Sequence, residues 1–229
     1  MNIHNHTRAV KHLLFDNDGT IVDSEIIAVR TMLQLLAEHG FHMEEKAYST
    51  KYPGLLERDI LASLKLEYNL NVPHDFLERL HLLHRDVFPS TLRAIPGMPA
   101  IFKNVIVPKS MVSNGSVRHV ERSLRRVRLR SSLDGHIFSA EHVTKPKPEP
   151  DVYHHALTTL ELQPQDVLVV EDSPTGVMAA KRAGLRVVGF LGASHIPHGH
   201  GERLMDHGAD YLAKDAKVLV GILKKYGAL

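Results

Sequence analysis

Short apolar runs that stop abruptly at polar residues alternate along this chain with stretches of helical period, and few folds accommodate that alternation. The first run, Leu13-Leu14-Phe15, breaks off into Asp16-Asn17-Asp18-Gly19-Thr20. Four more resemble it: Ser110-Met111-Val112-Ser113, His136-Ile137-Phe138-Ser139, Val167-Leu168-Val169-Val170 before Glu171-Asp172, and Arg186-Val187-Val188-Gly189-Phe190. Apolar runs of this length bounded by turn residues predict buried strands. Between them lie helical stripes: Val117, Val120, Leu124 and Val127, then Val152, Ala156 and Leu160, then Thr175–Ala183 closing at Gly184. A further helix is expected from Pro99 to Ile106, stopped by Pro108. Strands alternating with helices imply a parallel sheet covered on both faces. The expected class is α/β, a Rossmann-like three-layer sandwich.

Directly after the first strand the alternation lapses. From Glu25 to Leu92 there are three helical patterns, Ile26 to His39, Glu57 to Leu66 and Asp75 to Phe88, and no convincing strand. This predicts an inserted all-helical cap domain over 25–92, with 1–24 and 93–229 forming the Rossmann-like catalytic core. A chain of 229 residues is long enough for both. Cysteine is absent, which removes any disulfide framework or thiolate site and fits the cytoplasm. The first twelve residues carry no apolar core of a signal peptide, and no apolar run is long enough for a membrane. A formal net charge of +2 does not argue for nucleic acid.

Ligands of an open parallel sheet bind beyond the carboxyl ends of its strands. Asp16 and Asp18 follow the first predicted strand, Ser113-Asn114-Gly115 the second and Glu171-Asp172 the fourth. Lys147, in Lys145-Pro146-Lys147-Pro148-Glu149-Pro150-Asp151, precedes a helix that the prolines and Asp151 would start. One rim would thus hold four carboxylates, a hydroxyl with nearby backbone N–H groups, and an ammonium. Crowded carboxylates repel unless a cation or a shared proton relieves them. Hard oxygen donors without His or Cys suit Mg²⁺, which leaves coordination sites open for phosphate oxygens. One carboxylate is then free to attack phosphorus and its neighbour to serve as acid and base.

In their order and spacing these residues resemble the haloacid dehalogenase superfamily, nearest to the branch of β-phosphoglucomutase and 6-phosphogluconate phosphatase. Four motifs stand in register: FDNDGT from Phe15, SNG from Ser113, KPEPD from Lys147 and EDSPTG from Glu171. The resemblance implies Asp16 as nucleophile and Asp18 as acid and base. It implies Mg²⁺ held by the Asp16 side chain, the Asp18 backbone carbonyl and Asp172, with Glu171 close or water-bridged. Ser113, Asn114 and Lys147 would bind the phosphoryl group. A phosphatase acting on a small phosphorylated metabolite, a sugar or sugar-acid phosphate, is expected, as a monomer or weak oligomer. A phosphomutase is the alternative, but that branch holds its acid–base aspartate with a histidine at the position of Ala28 and binds substrate with an arginine near Glu57. A receiver-like phospho-aspartate module fits the large insert and the DxDGT order less well.

Other features have plainer readings. Thr20 would cap its turn, Asp23 would tie down the approach to the insert, and Lys145 would be solvated. The basic run Arg118–Arg130 carries an apolar stripe and no interleaved aromatics, so it predicts a helix with a solvated face rather than a nucleic-acid surface. His195, His198, His200 and His207 lack compact ligand spacing and are expected in a solvated loop. Arg58 is a candidate contact for an anionic substrate tail.

Overall fold

The computed structural model describes residues 8–52, 55 and 57–229. In chain order the elements are β1 (His12–Phe15), α1 (Glu25–Glu38), α2 (Glu45–Lys51), α3 (Glu57–Tyr68), α4 (Phe76–Thr91), α5 (Met98–Asn104), β2 (Lys109–Ser113) and α6 (Val117–Arg126). There follow β3 (Ile137–Ser139), α7 (Asp151–Thr159), β4 (Val167–Glu171), α8 (Pro174–Arg182), β5 (Arg186–Phe190), α9 (His200–Asp206), β6 (Tyr211–Ala213) and α10 (Ala216–Lys225). The six strands form one parallel sheet in the order β3-β2-β1-β4-β5-β6. β1 pairs with β2 on one side and β4 on the other, with Phe15 opposite both Met111 and Val170. The order reverses at β1, and the crevice beyond a reversal is where such sheets take ligands.

Alternation along the strands builds two cores. Leu13, Phe15, Met111, Leu168 and Val170 pack on one face with α5, α6 and α10. Leu14, Val112, Val167, Val169 and Val187 pack on the other with α7 and α8. Strands β1, β2 and β4 are buried throughout, and in β1 and β4 that burial writes itself as the apolar runs Leu13–Phe15 and Val167–Val170.

Helices α1–α4 stand between β1 and α5 and own a third apolar cluster, including Met32, Leu36, Tyr48, Leu64 and Phe76. The first turn of α1 belongs instead to the sheet core, through Ile26 and Ile27. The two passages of chain that lead into and out of these helices are hydrogen-bonded to each other. Asp23 N–H donates to Arg93 O and Ile95 N–H to Ile21 O, both at 3.0 Å.

Several elements differ from those expected, β6 and α10 among them. α2 was not foreseen because it buries a single side chain, Tyr48, and leaves no stripe. α4 runs past Phe88 through Pro89 to Thr91, and α5 stops at Asn104 rather than Ile106. The histidine-rich segment is not a solvated loop: it contains α9, and His200 is buried. Among the described residues no helix is long and apolar enough to cross a membrane.

Candidate active site

At the carboxyl edge of the sheet, register decides which side chains meet. Asp16 directly follows β1, and its N–H extends the ladder to Val170 O at 3.0 Å. Glu171 ends β4 and Asp172 follows it. Because β1 and β4 are neighbours, one carboxylate oxygen each of Asp16, Glu171 and Asp172 lie within 4.8 Å of one another, and all three residues are buried. Two glycines make this density possible. A Cβ on Gly19, whose φ is +79°, would lie 1.9 Å from Asp172 Oδ2, and one on Gly176 would lie 1.9 Å from Glu171 Oε2.

Lys147 reaches into the cluster with every N–H engaged: Asp16 Oδ1 at 2.7 Å, Glu171 Oε2 at 2.7 Å and the Val112 carbonyl at 2.9 Å. Burial alone would strip its proton, but Asp16 and Glu171 outweigh that and hold the ammonium well above its usual range. Its backbone is fixed by Asn114, whose Oδ1 accepts from Lys147 N–H at 2.9 Å and whose Nδ2 donates to Lys147 O at 3.1 Å. Glu171 Oε1 accepts from Ser173 N–H and Oγ–H, at 3.1 and 2.9 Å. Thr20 donates to Asp172 Oδ1 at 3.1 Å. Asp23 accepts from the backbone and hydroxyl of Ser194.

The carboxylates are held at high energy. Burial, then Glu171 and Asp18, push Asp16 well above the ordinary carboxylate range against the pull of Lys147. Burial, then Glu171, Asp16 and Glu25, do the same to Asp172. Asp18 differs: burial raises it, but the hydrogen bond and charge of His119 and a bond from Asn17 prevail and hold it low. His119 Nε2 lies 3.0 and 3.1 Å from the two Asp18 oxygens, and that contact raises the imidazole. Ionised together, the four carboxylates would outnumber the Lys147 ammonium and a protonated His119 by two charges, and the raised Asp16 and Asp172 reflect that crowding. Hard oxygens carrying that excess fit a divalent cation such as Mg²⁺.

Ser113, at the tip of β2, accepts from Gly115 N–H at 2.9 Å. Asp16, Asp18, Ser113, Asn114, Lys147 and Asp172 line a cavity of about 710 Å³, with Glu171 immediately beneath. Arg58 is not brought there. Its side chain is 73% exposed and pairs with Asp59 at 3.5 Å. Of the Tyr52–Arg58 loop, Pro53, Gly54 and Leu56 lie outside the described residues.

His119, expected on a solvated basic face, and His195 and His200, expected in a solvated loop, instead lie against Asp18 and Asp172. His119 sits in the first turn of α6, capped by Ser116 Oγ, five residues beyond Asn114. That proximity to the SNG loop was the available signal, masked by the surrounding arginines. His195 Nε2 is 3.7 Å from Asp172 Oδ2, and His200 Nε2–H donates to the Asp172 carbonyl at 2.6 Å. Nothing local marks these two, because only the packing of α9 against β5, β6 and α8 brings it and the segment before it to the strand tips.

Comparison with known proteins places this arrangement in context. A family model described as haloacid dehalogenase-like hydrolase matches residues 13–190. The 6-phosphogluconate phosphatase of Escherichia coli (strain K12) is 26% identical over 189 residues, 81% of this chain and 85% of its own. A phosphorylated carbohydrates phosphatase of Thermotoga maritima is 27% identical over 221 residues, 93% of this chain and 98% of its own. A crystal structure of a hydrolase from Deinococcus radiodurans R1, with bound phosphate and sodium, has a TM-score of 0.88 at 29% identity, covering 96% of this chain and 97% of that one.

Proposed function

This chain belongs to the haloacid dehalogenase-like hydrolases, and on that premise we propose that it is a Mg²⁺-dependent phosphatase of small phosphorylated metabolites, with Asp16 as nucleophile. Its class, a phosphoric monoester hydrolase, is that of its named relatives. The observation that carries the finer reading is the buried Asp16–Glu171–Asp172 cluster, tied by Lys147 and still short of positive charge.

The side chains of Asp16 and Asp172 and the backbone carbonyl of Asp18 would hold the ion, with Glu171 close or water-bridged. Bound there, the ion supplies charge neutralisation for the phosphoryl oxygens and for the crowded carboxylates. Asp16 Oδ forms a bond to phosphorus as the bond from phosphorus to the substrate alkoxide breaks, giving an aspartyl-phosphate. Asp18 supplies the proton for that alkoxide. It then takes a proton from water as the water attacks phosphorus, freeing phosphate and Asp16. Ser113 and the N–H groups after β2 face the transferring group, Lys147 offsets its charge, and Asn114 keeps Lys147 in place. The low-lying Asp18 carboxylate suits the second half, and His119, which lies against both its oxygens, orients it. Helices α1–α4 would act as a cap that excludes water from the cavity.

The test is release of inorganic phosphate from a panel of sugar and polyol phosphates, with Mg²⁺ and with EDTA, beside Asp16→Asn. The expected result is turnover only with the metal and the native aspartate. Equal turnover by Asp16→Asn removes the assignment.

A further inference from the structure

The cavity has two unlike halves. The floor carries Lys147 and the strand tips. The wall built by α1–α4 brings two carboxylates, Glu25 at the start of α1 and Glu57 at the start of α3. Among the described residues that wall contributes no Lys or Arg to the cavity. Arg58, the nearest candidate, faces solvent, and none of the residues outside the described set in the α2–α3 loop is cationic. Burial, and then the charges of Asp18 and Glu57, raise Glu25, which stands between the strand tips and the rest of the wall. Two cations remain in the lining: Lys147, with all three N–H groups engaged below, and Arg203, on α9 beside His200 on the floor side.

The same wall offers hydrogen-bonding groups. His81 Nε2–H donates to Glu57 Oε2 at 2.6 Å, and among the described residues the other Glu57 oxygen has no hydrogen bond. Tyr52 Oη and His84 Nε2, on residues that line the cavity, have no hydrogen-bond partner among the described residues. Carboxylates accept from hydroxyls and repel carboxylates or a second phosphate, so such a wall selects by repulsion as well as by attraction.

We propose that Glu25 and Glu57 make this site selective for the monophosphate of a neutral polyol or sugar, and turn it against sugar-acid phosphates and bisphosphates. The proposal deepens the phosphatase reading and rests on it. The leaving-group end of the substrate carries hydroxyls alone, and Glu25 and Glu57 receive them.

A matched pair tests this. Glucitol 6-phosphate and 6-phosphogluconate differ at the terminal carbon, a hydroxymethyl in one and a carboxylate in the other. Their kcat/KM values with Mg²⁺ are measured on the full chain, on Glu25→Gln and on Glu57→Gln. The ratio within one preparation is independent of how much of that preparation is folded. The expected result is a preference for the polyol phosphate of about tenfold or more, shrinking several-fold in at least one variant. A ratio at or below one, or a ratio that neither variant moves, overturns the proposal, and Arg203 would then be the group that receives the acid. Hydrolysis of neither compound, nor of any other phosphomonoester, is a different failure, since it removes the phosphatase reading itself.

Discussion

In the proposed reaction Asp18 gives a proton in one half and takes one in the other, and its surroundings decide how well it is placed for both. His119 grips both oxygens from α6, and Asn17 donates to Oδ2 at 3.0 Å. Ala28, on α1, lines the same cavity with only a methyl group, so the support comes from the sheet side. General acid–base catalysis contributes roughly 10²–10⁴-fold, so Asp18→Asn should lower kcat by about that factor while Mg²⁺ still binds, as calorimetry would show. His119→Ala removes no reacting group but frees the Asp18 carboxylate to rotate. A fall in kcat of about 10- to 100-fold with little change in KM is expected, and His119→Gln, which keeps an N–H donor, should recover part of it. An unchanged kcat in His119→Ala would show that Asp18 needs no such anchor. Phe88 of α4 lies with its ring centroid 5.4 Å from that of His119, so the inserted helices touch the anchor directly.

At the scale of elements, the rim depends on how closely α8 approaches the end of β4. Gly176 is the third residue of α8, and Ser173 caps that helix by accepting from its N–H at 3.0 Å. Replacing a helical glycine by alanine gains up to about 1 kcal/mol in helix propensity. Here the new methyl would fall 1.9 Å from Glu171 Oε2, with the carboxylate pinned by Lys147 and Ser173. Overpacking of this kind costs about 1–3 kcal/mol, so the clash prevails. Gly176→Ala should lower the midpoint of thermal unfolding and reduce turnover together, and a raised midpoint would show that Glu171 can move aside. The same packing explains what could be read in advance. β5 spans Arg186–Phe190 as its apolar run indicates, since a strand buried on both faces writes itself as a continuous run. β6 has three residues at the sheet edge, two of them half-buried, and is too short for any period to emerge. Asp16, Asp172 and Lys147 were legible because each follows a strand or precedes a helix that announces itself. His200 was not, because its environment is made by chain 28 residues away in sequence.

Over the whole molecule, the sheet separates two kinds of buried polar group. The carboxyl edge gathers charge for chemistry. The amino end buries a neutral histidine: His12 opens β1, is 5% exposed, and shares a hydrogen bond of 2.9 Å with Ser110 Oγ, which also accepts from His136 N–H. Burial lowers its pKa from 6.5 to about 4; Asp134 pulls it up, while His136 and Lys109 push it further down. In the unfolded chain the imidazole takes its proton near 6.5, while in the fold it resists until about 4. The unfolded state therefore binds more protons between these values, and the contribution of His12 is full above the upper one and lost as pH falls through the window. A shift of this size corresponds to about 3 kcal/mol at most. Asp16 and Asp172 act in the opposite sense, because carboxyls held high in the fold become easier to bury as pH falls. A bare stability profile would mix the two effects, and the difference between the native chain and His12→Gln separates them. The glutamine keeps a hydrogen-bonding partner for Ser110 and has no proton to take up. Urea unfolding at pH 7 and pH 4.5 should show the native chain losing ground to the variant by about 2–3 kcal/mol over that interval. Parallel profiles would mean that His12 takes up its proton as readily in the folded protein as in the unfolded chain.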